Sequence, residues 1–163
     1  MFDKNKMKEF LERGKLKEKE FLSTLNECVK GEESSREEDM NEHWDVKLVE
    51  EIKIDVKSIK RDSRYGDLNE NIHWIEIKGV KDEGWLFGGK ADYIAFELID
   101  YWIVVERIKL RNFIIEKCKD KIKTDSPNDA IYKLYSRKGR NDVLTKAKTI
   151  DLMFLSEKII PKS

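Results

Sequence analysis

The chain is predicted to fold as an α+β domain, with one central mixed β-sheet flanked by helices. Three features predict this. A long amphipathic pattern opens the chain, a series of short alternating segments rich in Ile, Val, Trp and Tyr follows, and a second helical pattern comes after the strands. At 163 residues it is expected to be a single domain, 1–163, large enough for one core but not for two. Although 40% of the residues are charged, the apolar ones are too periodic for a disordered chain.

The opening pattern predicts a helix over residues 6–29, with Met7, Phe10, Leu11, Leu16, Phe21, Leu22, Leu25 and Val29 as its apolar stripe and Gly14 as an interruption. Glu18 precedes Phe21, Leu22 and Leu25 by three, four and seven positions, which puts a carboxylate on the inward face. Such a group is costly unless it is paired, bound to a metal, or at the wet edge of the stripe. Residues 31–42 follow, where Glu32, Glu33, Glu37, Glu38, Asp39 and Glu42 face only Arg36. This acidic stretch is expected to be a mobile connection lying away from any binding face.

Strands are predicted over 44–49, 52–59, 74–80, 93–98 and 101–106. In the second of these, Asp55 and Lys57 point to one side while Ile52, Ile54 and Val56 point to the other. Asp45, on the preceding strand, can be brought opposite them by a tight connection. Acid-x-lysine also occurs at Asp45/Lys47, Glu51/Lys53 and Glu76/Lys78, and a solvated strand face produces such pairs by default. Asp55/Lys57 differs in having an upstream partner acid and an apolar opposite face. A second register stays open: Asp55 as the lone strand acid, with Glu76-Ile77-Lys78 supplying acid-x-lysine twenty-one residues later. Residues 61–71, with Gly66, are expected to form a polar loop, and Ile99-Asp100 a tight hairpin. Further on, a helix is expected over 108–122, a short helix over 128–135 after Ser126-Pro127, and a strand followed by a turn near Asp151 within 143–155.

Two carboxylates and a lysine on short strands suit a metal-dependent phosphodiesterase: hard oxygens hold a divalent cation, and an ammonium meets developing phosphate charge. Gly14, Glu18, Phe21, Leu25, Asp45 and Asp55-Val56-Lys57 resemble the PD-(D/E)XK nuclease superfamily, whose members include restriction endonucleases and junction resolvases. The run from Gly84 to Phe96 resembles small phage-type or mobile-element members, and the likeness spans residues 12–107. Trp44 stands where the family's name has proline. The resemblance implies a restriction-endonuclease-like core. It implies that Asp45 and Asp55, with the Val56 carbonyl, hold Mg²⁺ (or Mn²⁺ in its place), and that Glu18 gives a supporting or second-metal contact. Lys57 would then orient or deprotonate the attacking water or stabilise the transition state. Glu76, Lys78 and His43 are supporting candidates, although for His43 a plain strand-end histidine is the favoured reading.

Other classes are disfavoured. No run approaches a membrane span and the N-terminal residues lack a signal peptide's apolar stretch. Cys28 and Cys118 are widely separated, so a reduced, cytoplasmic protein is expected. Neither they nor the two histidines have zinc-site spacing, and Gly88-Gly89-Lys90 lacks the rest of a phosphate-binding loop. A net charge of +0 gives no bulk attraction to DNA, so local clusters must supply it: Lys60, Arg61, Arg64 and Tyr65 near the site, and Arg137, Lys138 and Arg140 around Gly139. Trp85, Trp102 and Tyr93 are expected to pack in the core. The expected function is a Mg²⁺-dependent DNA endonuclease, and a symmetric homodimer would fit double-strand cutting. The alternatives are a nucleic-acid-binding or interaction protein that keeps the nuclease scaffold without catalysis, and an unrelated α+β module whose charged pairs are all surface.

Overall fold

The computed structural model describes residues 4–26, 31–63 and 65–162, and side chains from residue 12 onward except residue 26. Cys28, Val29 and Arg64, and the side chains of Met7, Phe10 and Leu11, lie outside the described residues. Helix α1 (Lys4–Asn26) buries Phe21 and Leu25, with Leu22 beside them. Leu16 does not join the stripe and is 62% exposed. It stands five residues before Phe21, and five steps of a 3.6-residue helix turn the side chain well off that face.

The acidic stretch is regular rather than a structureless connection. Strand β1 (Gly31–Glu33) leads into helix α2 (Arg36–Glu42), whose capping box joins Ser35 and Glu38. Glu37, Glu38 and Asp39 sit in its first turn, where the helix dipole favours anions. Strands β2 (Val46–Leu48) and β3 (Lys53–Lys57) form an antiparallel hairpin, with Val46 opposite Ile54. The predicted polar loop carries a second small hairpin, β4 (Lys60–Arg61) with β5 (Leu68–Asn69), before β6 (Ile72–Lys78). A single helical turn, α3 (Trp85–Gly88), precedes the hairpin of β7 (Tyr93–Glu97) and β8 (Tyr101–Glu106). Helix α4 (Arg107–Lys117) then ends at Cys118, short of the expected 122.

Beyond it lie β9 (Lys123–Thr124), a 3₁₀ turn (Pro127–Asp129), β10 (Leu134–Tyr135), β11 (Val143–Lys148), helix α5 (Thr149–Leu155) and β12 (Lys158–Pro161). The expected helix over 128–135 is thus one 3₁₀ turn and a strand. Asp151 lies within α5 rather than at a turn.

The class is α+β, with a large mixed sheet and several helices, but the sheet is not single. Six strands run in the order β1-β2-β3-β7-β8-β12, antiparallel except for the parallel β3–β7 pair, while β6 belongs to a second sheet, β6-β11-β10-β9. The large sheet is covered on both faces. Ala95, Trp102 and Val104 pack under α1 with Val46 and Ile54. Ile94, Phe96, Ile103 and Val105 point the other way, toward Leu110 and Ile114 of α4, Leu152 of α5, and Ile75 and Ala147 of the second sheet. Period-two alternation in β7 and β8 therefore feeds two cores. Among the described residues no helix is long and apolar enough to cross a membrane.

Candidate functional site

Pairing of Val46 with Ile54 brings the preceding Asp45 opposite Asp55 at the end of the hairpin. Trp44, 1% exposed, anchors the chain at this point in the core. Asp45 is held by three bonds: its own N–H donates to the Ile54 carbonyl at 2.8 Å, its carbonyl accepts the Ser34 N–H at 2.8 Å, and its Oδ2 accepts the Val56 N–H at 2.6 Å. Ile54 and Val56 face α1, so Asp55 and Lys57 project from the opposite side of β3. Lys57 Nζ contacts Asp55 Oδ1 at 2.7 Å and lies 4.8 Å from the centroid of the Trp85 ring. The other Asp55 oxygen, Oδ2, is buried and has no hydrogen-bond partner.

Electrostatics at this cluster are strained in one direction. Burial, followed by the Asp55 charge, pushes the Asp45 carboxyl up to about 9, so it carries a proton at neutral pH. For Lys57, burial works against the ammonium, but the nearby Asp55 and Asp45 outweigh it and hold its pKa above the ordinary lysine range. Glu18, half-buried on α1, is pushed up to about 6 by burial and by the charges of Asp39 and Glu33. It feels Asp55 and Asp45 too, each as a weaker influence. Among the described residues, no group of three His, Cys, Asp or Glu side chains converges as a metal cage. The central donor set is the pair Asp45 and Asp55.

Glu76 lies on the second sheet, yet its charge reaches Lys57, and both residues line one cavity of about 610 Å³. Lys78, exposed at the end of β6 opposite Val143, is not among that cavity's lining residues. Thus Asp55 and Glu76 approach the same lysine, Lys57, from two sheets. Gly84 permits this arrangement: a Cβ there would come within 2.5 Å of the Glu76 carbonyl oxygen. With no side chain, the α3 turn closes onto β6 and seats Trp85 against Lys57.

A second cavity, about 640 Å³, adjoins the first and shares Ser58, Lys60 and Trp74 with it. Its wall includes Arg13, Lys15, Glu18, Asp39 and Arg61. The acidic stretch consequently borders the site instead of lying away from it, because β1 pairs with β2 and carries α2 alongside α1. Of the basic residues named from sequence, Lys60 lines both cavities, Arg61 lines the second and donates to the Gly66 carbonyl at 2.8 Å, and Arg137 lines the first while paired with Asp142. Lys138 and Arg140 are exposed in the turn at Gly139, and Tyr65 is 90% exposed. His43 caps α2 in a left-handed conformation and faces a separate hollow beside Asp82 and Glu83. Trp102 packs in the core, as its strand position predicts, whereas Trp85 both packs there and walls the cavity.

Sequence reasoning missed His73, Trp74 and Tyr135, which line the first cavity. The alternation in β6 marked Trp74 as facing away from Ile75, but nothing local showed that Tyr135 would come to meet it. No protein family, curated protein or solved structure matches this chain.

Proposed function

We propose that this chain is a divalent-metal-dependent endodeoxyribonuclease with a restriction-endonuclease-like core, akin to small PD-(D/E)XK enzymes of phages or mobile elements. The observation that carries this reading is the orphaned Asp55 Oδ2, buried beside a second buried carboxylate, Asp45. Two oxygen donors forced together with one lone pair unused are the donor chemistry a hard cation stabilises. Asp45 and Asp55 would hold the ion, with the Val56 carbonyl as a further oxygen. When bound, Mg²⁺ or Mn²⁺ supplies charge neutralisation at the phosphate and lowers the pKa of water.

The chain's own residues do the rest. Asp45 gives up its proton to become a ligand, so loading is favoured as pH rises. Lys57, fixed by Asp55 and the Trp85 face, places an ammonium where charge builds on the phosphate, and orients the attacking water. Glu18, with its raised pKa, can take a proton near neutrality. Glu76 supports Lys57 from the opposite wall.

The lack of a third converging carboxylate among the described residues favours a second reading, a DNA-binding protein on this scaffold without turnover. One experiment separates the two. Plasmid, branched and single-stranded DNA are incubated with Mg²⁺ or Mn²⁺, using wild type, Asp45→Ala, Asp55→Ala, Lys57→Ala and Glu76→Ala. Cleavage abolished by Asp55→Ala and Lys57→Ala supports the nuclease. Binding with no cleavage by wild type supports the second reading. Loss with Glu76→Ala but not with Asp45→Ala selects the register in which Asp55 and Glu76 are the paired acids.

A further inference from the structure

The first cavity is aromatic as well as cationic. Trp74 and Tyr135 rings lie 5.7 Å apart at 39°, Trp85 closes the wall beside Lys57, and Arg137 stands at the rim. Lys146 Nζ sits 4.7 Å from the Trp74 ring, which leaves that indole held from one side. His73 also lines this cavity; it is 5% exposed, and its Nε2 is buried without a hydrogen-bond partner. The adjoining cavity continues past Trp74 and Lys60 to Arg13, Lys15 and Arg61, so cations flank Trp74 on both sides, with Glu18, Asp39 and Glu76 also in the walls.

We propose that the two cavities form one groove for an unpaired DNA strand, with a single base turned out onto Trp74 and Tyr135, in the cavity that holds the Lys57 phosphate position. This deepens the nuclease reading and rests on it for the phosphate's location. Base faces stack on indole and phenol rings with little regard to sequence, and the backbone follows the cations. A paired duplex cannot offer such a base without unstacking it, so single strands bind more tightly.

The test measures binding and cleavage separately. A twelve-nucleotide single strand and the matching duplex are titrated in EDTA and again in Ca²⁺, reading tryptophan fluorescence and anisotropy. The single strand is expected to bind at least about tenfold more tightly and to quench tryptophan emission. Trp74→Leu and Tyr135→Leu are each expected to weaken single-strand binding about five- to tenfold while leaving duplex binding within twofold, circular dichroism confirming that each variant is folded. Equal or tighter duplex binding, or single-strand binding unchanged in Trp74→Leu, overturns the proposal. Should both variants unfold, the wild-type comparison of single strand with duplex decides it. Tight single-strand binding without cleavage in Mg²⁺ or Mn²⁺ sinks the nuclease reading and leaves the groove standing. Duplex cleavage with no single-strand preference does the reverse.

Discussion

Two clusters of buried charge sit on the large sheet, and they are built to opposite rules. Glu97, 1% exposed on β7, has every oxygen answered: Oε1 meets Lys17 at 2.7 Å and Lys162 at 2.8 Å, and Oε2 accepts the Ile59 N–H at 3.0 Å. Its lysines are themselves shared with Glu20, and Lys162 also covers the Trp102 ring. This network ties α1 and the end of the chain to the sheet. At Asp45 and Asp55 there are two acids for one lysine, and one buried oxygen has no partner. A satisfied network explains itself as architecture. An acid pair that the protein leaves unsatisfied needs another explanation, and the proposed cation would supply it.

The widest separation between the clusters is expected in catalysis. Asp55→Asn and Asp45→Asn should each cut DNA cleavage by about 10³-fold or more, roughly 4 kcal/mol of barrier, and Lys57→Ala by about 10²- to 10³-fold. Glu97→Gln, assayed at a temperature where it remains folded, should retain cleavage within a few-fold. Initial rates on plasmid DNA check this, and a Glu97 variant as inactive as Asp55→Asn would erase the distinction.

Stability should divide the clusters the other way. Glu97→Ala leaves the half-buried Lys17 and Lys162 with only Glu20 and the Ile59 N–H without its acceptor, and is expected to cost about 1–3 kcal/mol in urea unfolding. Asp45→Asn should stabilise. Its folded pKa of about 9 lies far above the unfolded value, so its contribution is fully present below about pH 4 and is lost as pH rises toward 9. The asparagine escapes that loss. A gain on the order of 2–3 kcal/mol is expected at pH 8 and little at pH 4, read as the difference in Tm between variant and wild type across pH. A Tm difference that does not change with pH would show that Asp45 is not held protonated.

The same contrast explains what the sequence revealed. Alternation exposed β3, β6, β7 and β8 and put Asp55 and Lys57 on one face, because period-two patterns are local. It could not show that β6 joins β11 instead of β3, since Ile75 and Ile77 would pack equally well in either sheet. The α2 helix carried its capping signal, Ser35 followed by Glu38, but acids crowded the stretch and no apolar stripe drew attention to it. Helix α5 was hidden for a similar reason: its apolar residues point all round, and of them only Leu152 is fully buried. The Glu97 network and the His73 cavity depend on partners dozens of residues away, and no spacing rule reaches that far.

The smallest expected effect concerns His73, whose burial without a partner makes it resemble Asp55 more than Glu97. Its folded pKa, about 4, lies below the unfolded value of about 6.5. The unfolded chain therefore binds the proton first as pH falls, so stability is full above pH 6.5 and declines toward pH 4. Phenylalanine keeps the packing against the Phe96 ring, 5.0 Å away, and removes the proton. His73→Phe should flatten this decline by on the order of 1–2 kcal/mol at pH 5 and change little at pH 7.5, measured by urea unfolding at both pH values. An unchanged slope between those values would mean that the imidazole titrates much as it does in water, and that the cavity around it is wet.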